Sequence, residues 1–312
     1  MPHTAKMKEN SHKGLVVMNY QHVTIIGSGV LGSQIAFQCA FFGFKVSIYG
    51  RNEASIEKTK ERLNKLVSVY GEFFKDSERA KLAYEGFIFE TDLAKAVKDA
   101  DIVIESVPET IEAKQEIYTK LANVAPEKTV FATNSSTLLP SQFAEFTGRP
   151  SKFLALHFAN SIWEKNMTEV MAHAGTDPKY VEEVTEFARA IGMIPFVLNK
   201  EQPGYILNTL LVPFLTSALS LWAKDVADPE TIDKNWMLST GAPVGPFGIL
   251  DIVGMETPYH LMQGQNDTGA QALAHKIKHE MIDQGKMGIA TGKGFYQYPN
   301  PKYKHPQFLK QN

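Results

Sequence analysis

The chain has 312 residues, of which 44% are hydrophobic and 21% charged, and its formal net charge is -2 at pH 7. This composition is typical of a globular protein with one large domain or two ordinary ones, and it excludes the strongly basic surface that binds nucleic acid. Cys39 is the single cysteine, which excludes an internal disulfide and favours a reducing, cytoplasmic location. No apolar run reaches the roughly 18 residues of a membrane span. Residues 1–20 are polar and basic, and we expect them to form a mobile extension.

A glycine-rich turn follows the first predicted strand. The β-branched run from Val23 to Ile26 stops at a glycine, and a helical pattern follows the last glycine of G-S-G-V-L-G, so the motif G-x-G-x-x-G has its strand–turn–helix context. In this motif the glycines permit the turn, the approach of backbone N–H groups to a pyrophosphate, and close helix–strand packing. The alternative is a glycine-rich turn in another α/β fold. The predicted cofactor contacts in this motif are Gly27, Gly29, Val30, Leu31 and Gly32.

Strands and helices alternate from this turn as far as Leu198. Alternation of this kind indicates right-handed βαβ crossovers and a mostly parallel sheet. The fold class is therefore α/β, with a Rossmann-type doubly wound sheet domain over residues 21–199. The predicted strands after the first are 45–49, 86–90, 102–105, 129–133, 153–157, 169–172 and 194–198, and the predicted helices after the first are 53–75, 110–122 and 179–191.

The pattern changes at Asn199, after which no strand signal recurs. Apolar residues from Ile206 to Trp222 cover most of the circumference of one predicted helix, which is typical of a buried helix. The aromatic segment Gly292 to Tyr298 is expected to pack back on the body of the protein. We therefore expect residues 200–312 to form a smaller all-helical domain that also makes a homodimer, the alternative being a purely intramolecular core.

Four polar residues are candidates for the chemistry. His157 ends a predicted strand, where ligands of open α/β sheets bind, and a neutral imidazole there could take a hydroxyl proton as a hydride leaves the same carbon. Glu169, at the start of the next strand, could orient that imidazole and stabilise its charged form. Ser136 follows the fifth strand, and Asn208 lies in the apolar helix, where a buried amide needs a partner. The alternatives are a strand cap, a surface acid and a turn residue for His157, Glu169 and Ser136.

Together with the glycine turn, these residues match one known family. The sequence resembles the single-function 3-hydroxyacyl-CoA dehydrogenases of the short-chain, 3-hydroxybutyryl-CoA dehydrogenase type, from His22 to about Tyr298. Several spaced motifs in the same order carry this resemblance. They are the glycine turn, E-S-V-P-E at 105–109 with Lys114, N-S-S at 134–136, H-F-A-N at 157–160, Glu169, P-G-Y-I-L-N at 203–208, G-P-F-G-I-L-D at 245–251 and G-K-G-F-Y at 292–296.

The resemblance implies hydride transfer between a nicotinamide cofactor and C3 of a short-chain 3-hydroxyacyl-CoA. It implies that His157 is the general acid/base with Glu169 as its partner, and that Ser136 and Asn208 position the substrate. It further implies that Glu109 and Lys114 lie near the nicotinamide and that Asn134 also belongs to the cofactor site.

The end of the second strand departs from the family pattern. Family members usually carry an acidic residue there that holds the adenosine ribose, whereas this chain has Gly50 followed by Arg51. Losing the carboxylate and gaining a guanidinium favours the 2′-phosphate of NADP(H) over NAD(H). The alternative is that Arg51 stacks on adenine and that NAD is still the cofactor.

The loop after His157 also departs from the family. Ala159 and Ser161 replace an aromatic residue and a proline, and Trp163 is expected to add bulk near the acyl carbon. No clear basic patch for the CoA phosphates stands out. Two alternatives therefore stay open: the same chemistry on a non-CoA hydroxy acid or ketone, as in gulonate-dehydrogenase-like and crystallin-like relatives, and a non-catalytic dinucleotide-binding protein. The basic residues that could bind the CoA phosphates are Lys58, Lys60, Arg62 and Lys65.

No metal site is expected, because the histidines are scattered.

Overall fold

A computed structural model describes residues 20–310. The expected extension at residues 1–19 lies outside the described residues. Tyr20 was predicted as part of it, but this side chain is buried and its hydroxyl donates a hydrogen bond to Glu183 at 3.0 Å. The chain divides into two compact units, the first ending at Ile206 and the second beginning at Leu207. This division lies later than the predicted boundary at residue 199.

The first unit contains an eight-stranded sheet with the order β3-β2-β1-β4-β5-β6-β7-β8. The first six strands are parallel, in the order that defines a dinucleotide-binding sheet, which confirms the predicted fold class. The strands are β1 (His22–Ile26), β2 (Lys45–Tyr49), β3 (Ile88–Glu90), β4 (Ile102–Glu105), β5 (Val130–Thr133), β6 (Phe153–Phe158), β7 (Met167–Ala172) and β8 (Ile194–Leu198).

The last two strands run in the opposite direction. β7 is antiparallel to β6 and parallel to β8, so the expected crossovers do not extend to the link between β6 and β7. That link, residues 159–166, contains no helix and is shorter than the dozen or so residues that a parallel return requires. The reversal places Glu169 directly opposite His157 in the sheet.

Within residues 20–206, six α-helices flank the strands. Two of them, α3 and α4, were not predicted. Both are short; α3 is rich in charged residues, and α4 consists largely of small residues. Each begins at an aspartate, Asp76 or Asp92, whose side chain accepts a hydrogen bond from the backbone three residues on. Cys39 is buried in α1, and burial raises the pKa of its thiol. The helices are α1 (Val30–Phe41), α2 (Glu53–Phe74), α3 (Ser77–Glu85), α4 (Leu93–Val97), α5 (Ile111–Val124) and α6 (Pro178–Ala190).

Between residues 207 and 310 the regular elements are helices, as predicted. The first of them is buried only over its second half, since Leu215 and Leu219 are buried whereas Leu210 is 69% exposed. In this single chain the first half of the helix thus presents apolar side chains at the surface, and the expected subunit interface stays a prediction. Within residues 20–310, no helix combines the length and apolar character that crossing a membrane requires. The helices are α7 (Leu207–Ala223), α8 (Pro229–Thr240), α9 (Pro246–Val253), α10 (Glu256–Gln263) and α11 (Thr268–Glu280).

Two buried aspartates hold the aromatic segment 292–298 against the second unit. Asp233 accepts hydrogen bonds from the Phe247 amide and the Tyr296 hydroxyl, both at 2.8 Å. Asp251 accepts one from the Tyr296 amide, also at 2.8 Å. Burial raises the pKa of Asp233 to about 6, although these hydrogen bonds oppose the shift. The expected return of the aromatic segment to the body is thus confirmed.

Candidate active site

The glycine turn joins β1 to α1 as its motif predicts. Gly27 has a φ of 91°, and a Cβ there would lie 2.5 Å from the backbone oxygen of Ser106. A Cβ on Gly32 would lie 2.0 Å from the carbonyl oxygen of Gly27, whereas a Cβ on Gly29 would meet nothing within 4 Å. The first and third glycines therefore shape the turn itself. The second leaves an open backbone face that a ligand can approach.

A cavity of about 750 Å³ lies beside this turn, between the end of β2, α2 and α5. Val30 and Leu31 begin α1 next to the turn, and α1 has no side-chain cap on its N-terminus. Four cationic side chains line the cavity. Uncapped helix amides and a cationic lining both favour phosphate groups, so the cavity fits a dinucleotide. The four cations are Arg51, Lys58, Arg62 and Lys120.

Two of the four basic residues of α2 line this cavity. Arg62 donates a hydrogen bond to the carbonyl oxygen of Ser28 at 3.2 Å, within the glycine turn. Lys58 lines the same cavity, and Lys60 is paired with Glu57 at 2.7 Å. Two of the four cations considered for CoA phosphates therefore face the predicted cofactor cavity.

Two residues that follow β2 shape the edge of the cavity. Gly50 has no room for a larger side chain, and Arg51 adds a positive charge. A Cβ on Gly50 would lie 2.4 Å from Cδ1 of Ile56. Arg51 is exposed and lines the cavity. The pKa of Glu116 on α5 is lowered, chiefly by Lys120 and to a smaller extent by the charge of Arg51. The cavity therefore has a cationic rim at the position where the family pattern places a carboxylate.

Hydrogen bonds connect the glycine turn to the histidine along the carboxyl ends of the parallel strands. Ser106, which packs against Gly27, accepts a hydrogen bond from the amide of Asn134 at 3.3 Å. The Asn134 side chain in turn accepts one from the backbone of Phe158 at 3.0 Å. Because β1, β4, β5 and β6 are successive neighbours, His157 lies roughly 14 Å across the sheet from the glycine turn. Both features thus lie in one sheet, along the edge where ligands of such sheets bind.

His157 and Glu169 form a buried pair. The distance from His157 Nδ1 to Glu169 Oε2 is 2.9 Å, and the two residues are 3% and 1% exposed. The other carboxylate oxygen accepts a hydrogen bond from the backbone of Ile206 at 2.8 Å. Because an ionised carboxylate only accepts hydrogen bonds, Nδ1 carries the proton and Nε2 is left for a substrate. This arrangement suits a general base or acid acting through Nε2.

The loop between β6 and β7 positions this pair by reversing the chain. Ser161 has a φ of 62°, and its backbone donates a hydrogen bond to Gln34 at 2.8 Å. Trp163 was expected to add bulk near the substrate, but it packs against the core, with its ring centroid 5.7 Å from that of Tyr70. The bulk of Trp163 thus lies in the core of the first unit, and the loop turns through a left-handed residue at Ser161.

Lys114 lies inside a buried network at the end of β4. Its ammonium is 2.8 Å from Glu105 and 3.3 Å from Glu109. The hydroxyls of Tyr118 and Thr133 donate to Glu105 at 2.9 Å and 2.8 Å. Lys114 therefore neutralises two carboxylates of the protein. A contact between Lys114 and the nicotinamide stays a prediction.

Glu109 fixes the turn that carries Ser136. One of its oxygens accepts hydrogen bonds from the Ser135 hydroxyl at 2.6 Å and from the backbone of Ser136 and Thr137 at 2.9 Å and 2.8 Å. Burial raises the pKa of Glu109, but the Ser135 hydrogen bond and the Lys114 charge outweigh it and lower the pKa to about 2. Glu109 is thus ionised at any physiological pH. The Ser136 backbone is fixed, and its hydroxyl has no hydrogen bond to another residue within 20–310.

One predicted site residue belongs to the second unit, and some residues of the site were not foreseen. Asn208 lies in the first turn of α7, in the second unit, and its role stays a prediction. Sequence reasoning gave no role to Glu105, although a carboxylate at the end of a buried apolar strand requires partners. It also missed the ring of Tyr205, which stacks on His157. Within residues 20–310 no cluster of three or more histidine, cysteine or acidic side chains is arranged to hold a metal.

Comparison with known proteins identifies the family. The NAD binding domain of 3-hydroxyacyl-CoA dehydrogenase matches residues 22–202, and the C-terminal domain of the same enzyme matches residues 204–298. The chain belongs to the 3-hydroxyacyl-CoA dehydrogenase family. It is therefore an oxidoreductase with a nicotinamide cofactor. The glycine turn around Gly27 and Gly29 fits such a cofactor.

Three proteins are similar to this chain over most of both lengths. Human mitochondrial hydroxyacyl-coenzyme A dehydrogenase is 33% identical over 287 residues, which are 89% of this chain and 91% of the relative. The 3-hydroxybutyryl-CoA dehydrogenase of Clostridioides difficile is 29% identical over 88% of this chain and 99% of its own length. A solved diketoreductase, which acts on dicarbonyl compounds, is 51% identical, with a TM-score of 0.87 over 89% of this chain and 99% of that one.

Proposed function

We propose that this protein catalyses reversible hydride transfer between NADP(H) and C3 of a short-chain 3-hydroxyacyl compound, with the CoA thioester as the first candidate. The buried pair of His157 and Glu169 carries the proposal. In oxidation, Nε2 of His157 takes the hydroxyl proton and Glu169 stabilises the imidazolium; in reduction, the imidazolium returns that proton. A bound nicotinamide supplies or accepts the hydride. Ser136 and Asn208 orient the substrate oxygens.

The proposed preference for NADP(H) is supported by the end of β2. Ile56 fills the space that a side chain at position 50 would occupy, and Arg51 stands beside it on the rim of the cavity. A 2′-phosphate there would meet a guanidinium instead of a carboxylate. With NADPH as cofactor, the physiological direction would be reduction of the 3-ketone.

The cofactor proposal is tested by measuring kcat/KM for NADPH and NADH with one ketone substrate. We expect NADPH to be favoured by about tenfold or more, since one charge-assisted hydrogen bond contributes about that factor. A strong preference for NADH would show that Arg51 serves another purpose, such as stacking on adenine.

A second candidate substrate is a small dicarbonyl compound without CoA. The 51% identical relative is a diketoreductase. In addition, Ser161 has a φ of 62°, which a proline cannot adopt because its ring holds φ near -65°. The substrate-side loop therefore has a backbone that the proline of the family pattern would not allow. The cations Lys58 and Arg62 also line the cofactor cavity, so they offer no separate site for CoA phosphates.

The two candidates are separated by a matched pair of substrates, acetoacetyl-CoA and free acetoacetate, with a small β-diketone as the third arm. If CoA is recognised, binding energy from the remote nucleotide raises kcat/KM for acetoacetyl-CoA by about 100-fold or more over the free acid. Similar values for all three substrates would favour the dicarbonyl function. No turnover of any of them, with cofactor bound, would support the non-catalytic alternative.

We also propose that the chain forms a homodimer through its second unit. Leu210 on α7 and Leu238 on α8 are 69% and 63% exposed, and such apolar side chains are typical of a surface that a partner covers. Sedimentation equilibrium should give twice the 34.8 kDa of one chain. A mass of one chain at micromolar concentration would contradict this proposal.

A further inference from the structure

The ring of Tyr205 lies flat on the imidazole of His157. The two ring centroids are 4.5 Å apart, and the ring planes differ by only 22°. Tyr205 is completely buried. One face of the imidazole is therefore covered by an aromatic π system, while its edge is bonded to Glu169.

The backbone around this ring contacts the other member of the pair. Tyr205 has a φ of 56°, in the left-handed region that bulky side chains avoid, and it follows Gly204 with a φ of 77°. The next residue, Ile206, donates its N–H to Glu169 Oε1 at 2.8 Å. Strained backbone of this kind persists where surrounding contacts hold it, often at functional sites. The turn at 204–206 thus places a ring on the base and an amide on its carboxylate.

Space filling alone does not account for this arrangement. Tyr205 shares a small apolar cluster with Ala155 and Met171, and Leu139 and Leu198 pack against that cluster. An aliphatic side chain could fill such a space. A nearly parallel ring, however, directs its electron-rich face at the imidazole, and that face attracts a positive charge.

The ionisable groups around the stack are mostly acidic. Glu169 on β7 bonds to the imidazole, and the charges of Glu109, Glu105 and Glu201 also act on Tyr205. Burial, followed by the charges of Glu109 and Glu169, raises the pKa of the Tyr205 hydroxyl. Tyr205 therefore remains neutral and acts on His157 through its ring rather than as an acid.

We propose that Tyr205 is a positioning residue for His157, which fixes the plane of the imidazole and stabilises its protonated form. This inference rests on the proposed function, in which that proton moves to and from the substrate oxygen. Removing the ring is then expected to make the imidazolium less stable, and to do so without changing the cofactor cavity.

The experiment compares Tyr205→Phe, which keeps the ring, with Tyr205→Leu, which removes it. The first readout is the titration midpoint of the His157 ring in the cofactor-free protein, followed by NMR of isotope-labelled histidine and assigned with His157→Gln. For Tyr205→Leu we expect a midpoint lower by about half to one pH unit, and for Tyr205→Phe no measurable change. The second readout is kcat for ketone reduction, expected to fall about tenfold in Tyr205→Leu while KM for NADPH is unchanged.

Met171→Ala is the matched control, because it opens the same apolar cluster and keeps the aromatic ring at position 205. It should lower stability and leave the midpoint unchanged. An unshifted midpoint in Tyr205→Leu, or an equal shift in the Met171→Ala control, would overturn the positioning role. Should Tyr205→Leu not fold, Tyr205→Met removes the ring with a more adaptable side chain. Failure of the proposed function would appear separately, as a wild-type protein that reduces no ketone although Tyr205→Leu still lowers the midpoint.

Discussion

The glycine turn and the His157–Glu169 pair lie in the same sheet, but different interactions build them. The turn forms within six consecutive residues, and steric limits on Gly27 and Gly32 determine its shape. The pair joins residues twelve apart, on two antiparallel strands, and the register of those strands determines their contact. A local motif therefore defines the cofactor end. The acid/base end depends on strand pairing and on the turn that carries Tyr205.

This difference implies that the two ends can be damaged independently. Changes at the pair should reduce the chemical step and leave cofactor binding intact. Changes in the glycine turn should reduce cofactor binding first.

The largest effect is expected for Glu169→Gln. The amide cannot stabilise an imidazolium as the carboxylate does, and it can hold the ring in the wrong tautomer, so kcat should fall on the order of 10³-fold. The dissociation constant for NADPH, measured by fluorescence titration, should stay within about twofold of the wild-type value. A loss of kcat below about tenfold, or a parallel loss of NADPH binding, would break the separation.

Gly27→Ala and Gly29→Ala should weaken cofactor binding for two different reasons. A Cβ at Gly27 would meet backbone at 2.5 Å, so this variant should lose about 2 kcal/mol or more of unfolding free energy together with NADPH affinity. A Cβ at Gly29 meets nothing in the protein, so that variant should keep its stability. It should still bind NADPH about 100-fold more weakly, because the methyl group occupies the approach of the pyrophosphate. Tight NADPH binding by Gly29→Ala would place the cofactor elsewhere.

Arg51→Ala should change cofactor choice more than turnover. Loss of a charge-assisted hydrogen bond to the 2′-phosphate should lower the ratio of kcat/KM for NADPH to that for NADH by about 10- to 100-fold. Lys65→Ala, on α2 but outside the cavity lining, is the control and should leave the ratio unchanged. Equal losses with both cofactors in Arg51→Ala would indicate stacking on adenine instead.

Glu109→Gln should have the smallest effect, and it should depend on pH. The folded-state pKa of Glu109 is about 2, below its ordinary value of 4.5, so its charge stabilises the fold above about pH 4.5 and loses that effect as the pH falls towards 2. The side chain is 36% exposed, so we expect a difference of only about 1 kcal/mol near pH 7. Urea unfolding at several pH values should show this difference shrinking below pH 4.5. A pH-independent difference would mean that the lost hydrogen bonds, and not the charge, matter.

The parts of the structure that could be predicted from the sequence are those determined by residues close together in the chain. Gly27 and Gly32 are required by backbone geometry, and the apolar strand 102–105 and the capped helix after Asp228 follow from short patterns. The resemblance supplied the roles of His157 and Glu169, but their direct contact depends on the reversal of β7, which no local pattern encodes. The stack of Tyr205 on His157 likewise depends on a left-handed turn at residue 205. Its aromatic side chain alone gave no sign of that conformation.

The most direct test of the account is single-turnover ketone reduction by NADPH-loaded His157→Gln beside the wild-type protein, with NADPH oxidation followed by absorbance. The account predicts that the variant binds NADPH normally and that its hydride-transfer rate falls by about 10²- to 10⁴-fold, because the proton donor is missing. A rate close to that of the wild type would contradict the assignment of His157 as the acid/base.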